Sequence, residues 1–302
     1  MSPPGRGRPA GGRGRGGGRP APTRRTPTPP RGPERLGGGA VRGKVGASAR
    51  RNGVGGEQVE GRQAVRELLL AGRRRVREVW VLADAEPSPV LDDILELAGA
   101  ERVTVREVGR GRFFAEARCE APQGVLARAE ALPETELEDL ARPWEGQPPF
   151  LVAVDGVTDP GNLGALLRSA ECAGATGVVL PRHRAVHVTP TVTKAAVGAV
   201  EHLRFALVGG LPNALARLRE LGCWIVGLDA AGEVPLWDLP AADGPLVVVL
   251  GAEGAGLSRL VRQRCDALVS IPMRGHLDSL NVATAGALAC FEVARRRTAP
   301  GS

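Results

Sequence analysis

The chain has no tyrosine, and aromatic residues make up only 3% of its 302 positions. A tyrosine general base is thereby excluded. So is a nucleic-acid face built by stacking successive bases on several rings. Shape, phosphate and 2′-hydroxyl contacts remain as the means of holding a polyanion. The five cysteines, at 119, 172, 223, 265 and 290, form no C-x-x-C pair. That spacing argues against zinc and against a disulfide framework, and predicts five reduced thiols, most of them small core residues. No apolar run approaches the ~18 residues of a membrane span, and the N-terminus lacks the apolar stretch of a secretory signal. The expected location is the cytoplasm, with no membrane partner and no metal. A phosphate loop ending in G-K-[ST] is missing, as is the G-x-G-x-x-G fingerprint of a dinucleotide-binding sheet.

What is present is basic, but unevenly so. The net charge is +7, yet residues 1–52 hold thirteen Lys and Arg against one Glu, so the remainder carries a net charge of −5. The basicity of the whole chain therefore says little about the folded part, which can hold a polyanion only through a local patch. Residues 1–55 are Gly, Pro and Arg with few apolar side chains and are expected to be disordered. Such a tail is either a phosphate-binding tether for RNA or a solvated segment without a dedicated role.

The rest alternates strands and helices. Residues 56–133 form a small α/β domain, with helices predicted over Gly61–Leu70 and Val90–Ala98 and strands over Val79–Leu82, Val103–Val108 and Gly124–Ala129. Residues 134–149, acidic and then Pro-rich, read as a linker. Residues 150–297 form a larger domain. Its strands are predicted at Phe150–Val154, Gly177–Leu180, Trp224–Leu228, Leu246–Leu250 and Ala267–Ile271. Helices fall at Asn162–Ala173, Thr191–Ala199, Pro212–Leu221, Ser258–Arg264 and Ser279–Arg296. The alternation implies a mostly parallel sheet covered on both faces. Ligands of such sheets bind beyond the carboxyl ends of the strands, so the loops that follow strands carry the information.

Three of these loops hold chemistry. In "VDGVTDPGNLGALLRSAECAG" (154–174), Asn162 is placed as a helix N-cap, and Arg168 follows two turns in. By position alone Arg168 is either a solvated helix arginine or a group that reaches back toward the strand ends. In "PLVVVLGAEGAGLS" (245–258), a fully apolar strand runs into Gly251, Gly254 and Gly256, and Glu253 is the one charged group. A central glutamate repels phosphate and favours a neutral or cationic ligand. In "SIPMRGHLDSLNVATAGALACFEV" (270–293), Asp278 and Ser279 are placed to cap a helix. Leu280 offers backbone groups, and Asn281 offers amide donors and an acceptor. The small residues of 283–289 imply that something packs very close to this helix.

In this order the three loops resemble the motifs of the SpoU/TrmH class of S-adenosyl-L-methionine-dependent RNA 2′-O-ribose methyltransferases. The resemblance spans 150–297. The segments "EGRQAVRELL" and "PQGV" make 56–133 similar to the small substrate-binding domain of that class, an RNA-binding ribosomal-protein-like fold. Pro122 stands where the class often has histidine, so no catalysis is assigned to that loop. The resemblance implies an α/β methyltransferase domain with a deep C-terminal trefoil knot, a homodimer with its active site at the interface, and RNA as partner, ribosomal RNA above others. It implies that Gly251, Ile271 and Leu280 hold S-adenosyl-L-methionine. Arg168 would contact the target nucleotide, and Asn162, Glu253, Ser279 and Asn281 would orient Arg168 and the ribose. An arginine pKa above ~12 makes Arg168 a poor base, which leaves the RNA phosphate or water to take the proton. The two-domain layout most resembles enzymes that methylate a guanosine of large-subunit ribosomal RNA. Methylation of transfer RNA or of another ribosomal nucleotide stays open. A non-catalytic RNA-binding protein is the rival from a different class, and it has no need of Glu253 or Asn281. Lys194 and His276 are either substrate contacts or surface charges.

Overall fold

The computed structural model describes residues 53–183, 186–277 and 279–298. The expectation for the Gly/Pro/Arg-rich tail lies outside the described residues, except at its end. There Val54 is fully buried and Gly55 pairs with Val188, so the packed structure begins before residue 56.

The small domain runs β1 (Gln58–Glu60), α1 (Arg62–Ala71), β2 (Val76–Leu82), α2 (Pro89–Ala100), β3 (Thr104–Val108), α3 (Arg110–Glu116) and β4 (Val125–Ala129). Its sheet has the order β1-β4-β2-β3, with β2 and β3 parallel and β4 antiparallel to both neighbours. Successive strand residues point to opposite faces, and β2 obeys this. Val79 and Val81 join Val65, Leu68 and Ile94 under α1 and α2, whereas Trp80 and Leu82 join Phe113 under α3.

Segment 134–149 is more than a tether, because it carries α4 (Leu137–Leu140), whose Leu140 is buried in the core of the larger domain. That domain continues with β5 (Phe150–Asp155), α5 (Pro160–Cys172), β6 (Gly177–Pro181), α6 (Pro190–Ala195), β7 (Phe205–Val208), α7 (Leu211–Glu220), β8 (Trp224–Leu228), β9 (Val234–Pro235), β10 (Leu246–Gly251), α8 (Arg259–Arg262), β11 (Ala267–Ser270) and α9 (Val282–Thr298). The sheet order is β7-β6-β5-β10-β8-β11-β9, and its strand pairs are parallel. Both faces are covered. Leu246, Val248 and Leu250 of the central β10 enter one core with α5, α6 and α9, while Val247 and Val249 enter the other with α4 and α7. This double burial is why β10 reads as an unbroken apolar run.

After β11 the chain crosses back over β10, and α9 lies against α5. The small residues of 283–289 make this contact possible. A Cβ at Gly286 would stand 2.4 Å from Leu166 Cδ1 and 2.9 Å from Leu250 Cδ1, so no side chain fits there.

The helix boundaries shift from the sequence expectation by a residue or more throughout, and three of the shifts bear on the site or the domain seam. The α5 cap is Asp159, whose Oδ1 accepts from the Asn162 amide at 2.7 Å, with Pro160 opening the helix; Asn162 is already inside. Helix α9 starts at Val282 and is capped by Asn281, whose Oδ1 accepts from the Ala283 amide at 2.8 Å. Ser279 is not its cap, and Asp278 lies outside the described residues. The helix expected over 191–199 stops at Ala195, and the chain then turns through Val197 (φ 55°) and Gly198 (φ 86°) into a 3₁₀ turn at Ala199–Glu201. The cause is the small domain, since a Cβ at Gly198 would meet Glu67 Cβ at 2.5 Å.

The two domains are joined at this turn by a buried ion pair. Arg74, 3% exposed, faces Glu201, 1% exposed, through Nε to Oε2 at 2.9 Å and Nη2 to Oε1 at 2.6 Å. Arg74 Nη1 also donates to the carbonyls of Gly56 and Glu130. Every guanidinium nitrogen is therefore bonded, as a charge out of water requires.

Candidate active site

Strands β5, β8, β10 and β11 are parallel, so their carboxyl ends share one edge of the sheet, and the loops leaving that edge build a cleft. The loop after β10 folds tightly onto itself. Ala252 and Gly256 exchange backbone hydrogen bonds at 3.1 and 2.8 Å. A Cβ at Gly251 would stand 2.2 Å from the Gly256 carbonyl carbon, so only glycine permits this closure. Asp155, at the end of β5, pins the loop by accepting from the Ser258 amide at 2.7 Å.

The closed loop presents Glu253 to two amides. Its Oε1 accepts from Asn162 Nδ2 at 3.1 Å and from Asn281 Nδ2 at 2.5 Å. Asn281 Nδ2 also reaches Asn162 Oδ1 at 2.9 Å. Three side chains from the α5 start, the β10 loop and the α9 cap thus form one cluster. Each amide is oriented by it, since Asn281 Oδ1 is committed to the α9 backbone.

The cleft beside this cluster has a volume of about 200 Å³ and opens to solvent. Its walls are apolar side chains, Leu228, Leu250, Ile271, Met273, Leu280 and Val282, together with the backbone of Gly251, Ala252 and Gly254. Among the described lining residues the charged groups are two carboxylates, Asp229 and Glu253, with no lysine or arginine. Asp229 Oδ1 lies 3.2 Å from Arg262 and accepts from the Ala231 amide at 2.9 Å. Behind the loop Cys265 packs against β8, where a Cβ at Gly227 would stand 2.7 Å from its sulfur. Burial, reinforced by Asp266, Asp229 and Asp155, pushes that thiol up to about 12, so it is no nucleophile.

Of the residues singled out in the sequence, Gly251, Glu253, Ile271, Ser279 and Leu280 line the cleft, and Asn162 and Asn281 join it through Glu253. Arg168 is not brought to the cluster. It lies on the exposed stripe of α5 with Gly161, Ala165 and Cys172, and no hydrogen bond or ion pair ties its guanidinium to a described residue. Lys194 packs its stem on the small domain, where a Cβ at Gly61 would stand 3.4 Å from Lys194 Cγ. His276 sits exposed in the loop before α9. Asp155 and Asp229 were missed, although a carboxylate at or just past the end of a predicted parallel strand was a readable signal; Asp159 was legible as part of the turn before α5 but not as its cap. Two of the cysteines, Cys223 and Cys290, are buried, two are half-buried, and Cys172 is exposed.

Residues 149–291 match the SpoU rRNA Methylase family, and residues 58–135 match the family described as RNA 2′-O ribose methyltransferase substrate binding. A Pseudomonas putida protein named 23S rRNA (guanosine-2′-O-)-methyltransferase RlmB is 39% identical over 80% of this chain and 97% of its own length. A protein of the same name from Ralstonia nicotianae is 40% identical over 79% and 95%. Among solved structures, the SpoU methyltransferase AviRb from Streptomyces viridochromogenes in complex with AdoMet aligns with a TM-score of 0.67 at 27% identity, over 80% of this chain and 89% of that one. The parallel sheet, the cleft at its carboxyl edge and the C-terminal helix that doubles back across β10 define an α/β methyltransferase of the class in which the knotted end walls the cofactor cleft. Within that class, the chain belongs to the SpoU rRNA methylase family.

Proposed function

We propose that this chain methylates the 2′-hydroxyl of a guanosine ribose in 23S ribosomal RNA, using S-adenosyl-L-methionine. The observation that carries this reading is the meeting of Asn162, Glu253 and Asn281 at an apolar cleft whose described lining residues include no lysine or arginine. The names of the 39–40% identical relatives support the substrate. The cleft suits the cofactor, because carboxylates and apolar walls favour a cation with a flat ring, and a phosphate-bearing ligand would be repelled. When bound, the cofactor supplies an electrophilic methyl group on a sulfonium.

The chain's own residues supply position and charge. Gly251, Ile271 and Leu280 hold the cofactor through backbone and apolar contact. Glu253 uses Oε1 for the two asparagines, while its Oε2 takes no hydrogen bond from a described residue and is the acceptor free to orient a ribose hydroxyl. Asn162, Asn281 and Ser279 fix that ribose. Arg168 anchors the phosphate of the target nucleotide; a guanidinium stays protonated, so the hydroxyl proton leaves to RNA phosphate or water. Residues 56–133 bind substrate, residues 134–149 connect, and residues 150–297 perform the transfer, in the cytoplasm. The active unit is a homodimer. Supporting this, α5 and α9 lie side by side, with Arg168 exposed on the first and Leu288 and Phe291 exposed on the second.

Incubation of the protein with methyl-labelled S-adenosyl-L-methionine and unmodified total RNA tests the reading. Label is expected in 2′-O-methylguanosine of 23S ribosomal RNA and is lost in Arg168→Ala. Label confined to transfer RNA overturns the substrate, and absence of both label and cofactor binding overturns the enzyme.

A further inference from the structure

A second surface of the small domain has the chemistry of a phosphate-backbone site. Strands β2 and β3 are parallel, with Glu78 opposite Thr104, so the residues that precede them emerge at one end of the sheet. The run Arg73-Arg74-Arg75-Val76-Arg77 precedes and opens β2, and Arg102 precedes β3. Together they line a groove of about 660 Å³, whose described walls hold five arginines and two glutamates, Glu101 and Glu130.

The pairing pattern separates the floor from the rim. Arg74 is buried and neutralised by Glu201. Arg73 donates to the carbonyls of Glu201 and Leu203 at 2.9 and 3.0 Å and keeps its charge. Arg75, Arg77 and Arg102 are exposed, and their guanidinium groups make no hydrogen bond or ion pair with a described residue. Glu101 and Glu130 stand in the same groove, and neither side chain closes a salt bridge to these arginines. The charges on the rim are therefore left uncompensated by either carboxylate. Arg102, at φ 54°, is the left-handed residue that ends α2, with the Val103 amide bonded back to the Ala98 carbonyl at 2.8 Å, and this turn sets it at the groove. The arginine-rich N-terminal segment has the wrong charge to occupy the groove.

We propose that this groove is a docking site for the RNA phosphate backbone, apart from the methyl-transfer cleft, with Arg75, Arg77 and Arg102 as its contacts. The inference rests on the RNA-methylation reading and deepens it. Backbone contacts position a nucleic acid without reading its sequence. The proposed surface therefore sets affinity and orientation, and the cleft sets the chemistry.

The test uses the full chain and an unmodified 23S ribosomal RNA transcript. Binding is followed by fluorescence anisotropy across a salt series, and turnover by methyl transfer. The triple variant Arg75→Ala/Arg77→Ala/Arg102→Ala is expected to weaken RNA binding about tenfold and to lower the slope of log affinity against log salt by about 2. KM for RNA rises with it. The rate at saturating RNA and the affinity for S-adenosyl-L-methionine stay unchanged, which also reports that the variant is folded. The corresponding triple lysine variant recovers most of the binding. Unchanged RNA affinity and salt slope in the alanine variant overturn the docking site, whether or not the wild type methylates. A wild type that binds the transcript through these arginines but transfers no methyl group overturns the enzymatic reading and leaves the docking site standing.

Discussion

Asn281 carries two duties, and two substitutions separate them. Its Oδ1 caps α9, and its Nδ2 bridges Glu253 and Asn162. Asn281→Asp keeps the capping oxygen, and aspartate caps as well as asparagine. The added charge at a helix N-terminus is worth about 0.3–1 kcal/mol in favour. Against this, a carboxylate oxygen replaces the amide 2.5 Å from Glu253 Oε1. Once relaxed to about 4 Å, the two charges repel by about 1 kcal/mol in water-like surroundings, which apply because both side chains are exposed. The two effects roughly cancel, so the stability of Asn281→Asp should lie within about 1 kcal/mol of wild type, a shift in Tm below about 4 °C. Methyl transfer should nevertheless fall about a hundredfold, the cost of losing a preorganised donor. Asn281→Ser keeps the cap, loses the bridge and should behave alike. Thermal denaturation and initial rates on unmodified ribosomal RNA are the assays. An aspartate variant with more than half the wild-type rate would refute the role of the cluster. One that loses more than 10 °C would refute the account of the cap.

Three further outcomes follow from packing and titration. Glu201→Ala strands the buried guanidinium of Arg74 and should cost about 3–5 kcal/mol in chemical denaturation; a loss below 1 kcal/mol would mean that water reaches the pair. Gly286→Val must displace Leu166 and Leu250, and overpacking of this kind costs about 1–3 kcal/mol, measurable in the same experiment. Burial pushes the thiols of Cys119 and Cys223 up to about 11 and those of Cys265 and Cys290 up to about 12. At pH 8 these groups are therefore protonated; burial and Glu171 raise the Cys172 thiol as well, but Cys172 is the exposed one of the five, so a thiol reagent should react with it first and with the others only when the protein is unfolded. Rapid labelling of a second cysteine in the native protein would contradict the packing.

The larger domain was legible wherever burial is continuous. Leu246–Leu250 is apolar throughout because it is covered on both faces, and neighbouring β8 and β5 carry the same mark. Elements too short or too polar for a period escaped. Strand β1 has three residues, α3 reads Arg-Gly-Arg-Phe-Phe-Ala-Glu, and β7 follows a turn that looked like the tail of a helix. The caps were misplaced although the signals were present, since Asp159 before Pro160 is a common helix opening. The site residues were legible as motifs, one loop at a time. Their contacts were not, because Asn162 and Glu253 are 91 positions apart and no local pattern encodes a meeting at that range. The same holds for Arg74 and Glu201, 127 positions apart.

That last pair has a consequence for selectivity. A guanidinium bonded to a carboxylate and two carbonyls, at a seam where the backbone itself is turned to fit, ties the two halves of the folded chain together. Two jaws tied at their root make a caliper. Any RNA gripped by both must offer its docking strand and its reactive sugar at the matching separation. An RNA with the right nucleotide at the wrong distance is then rejected by geometry, with no base read at all.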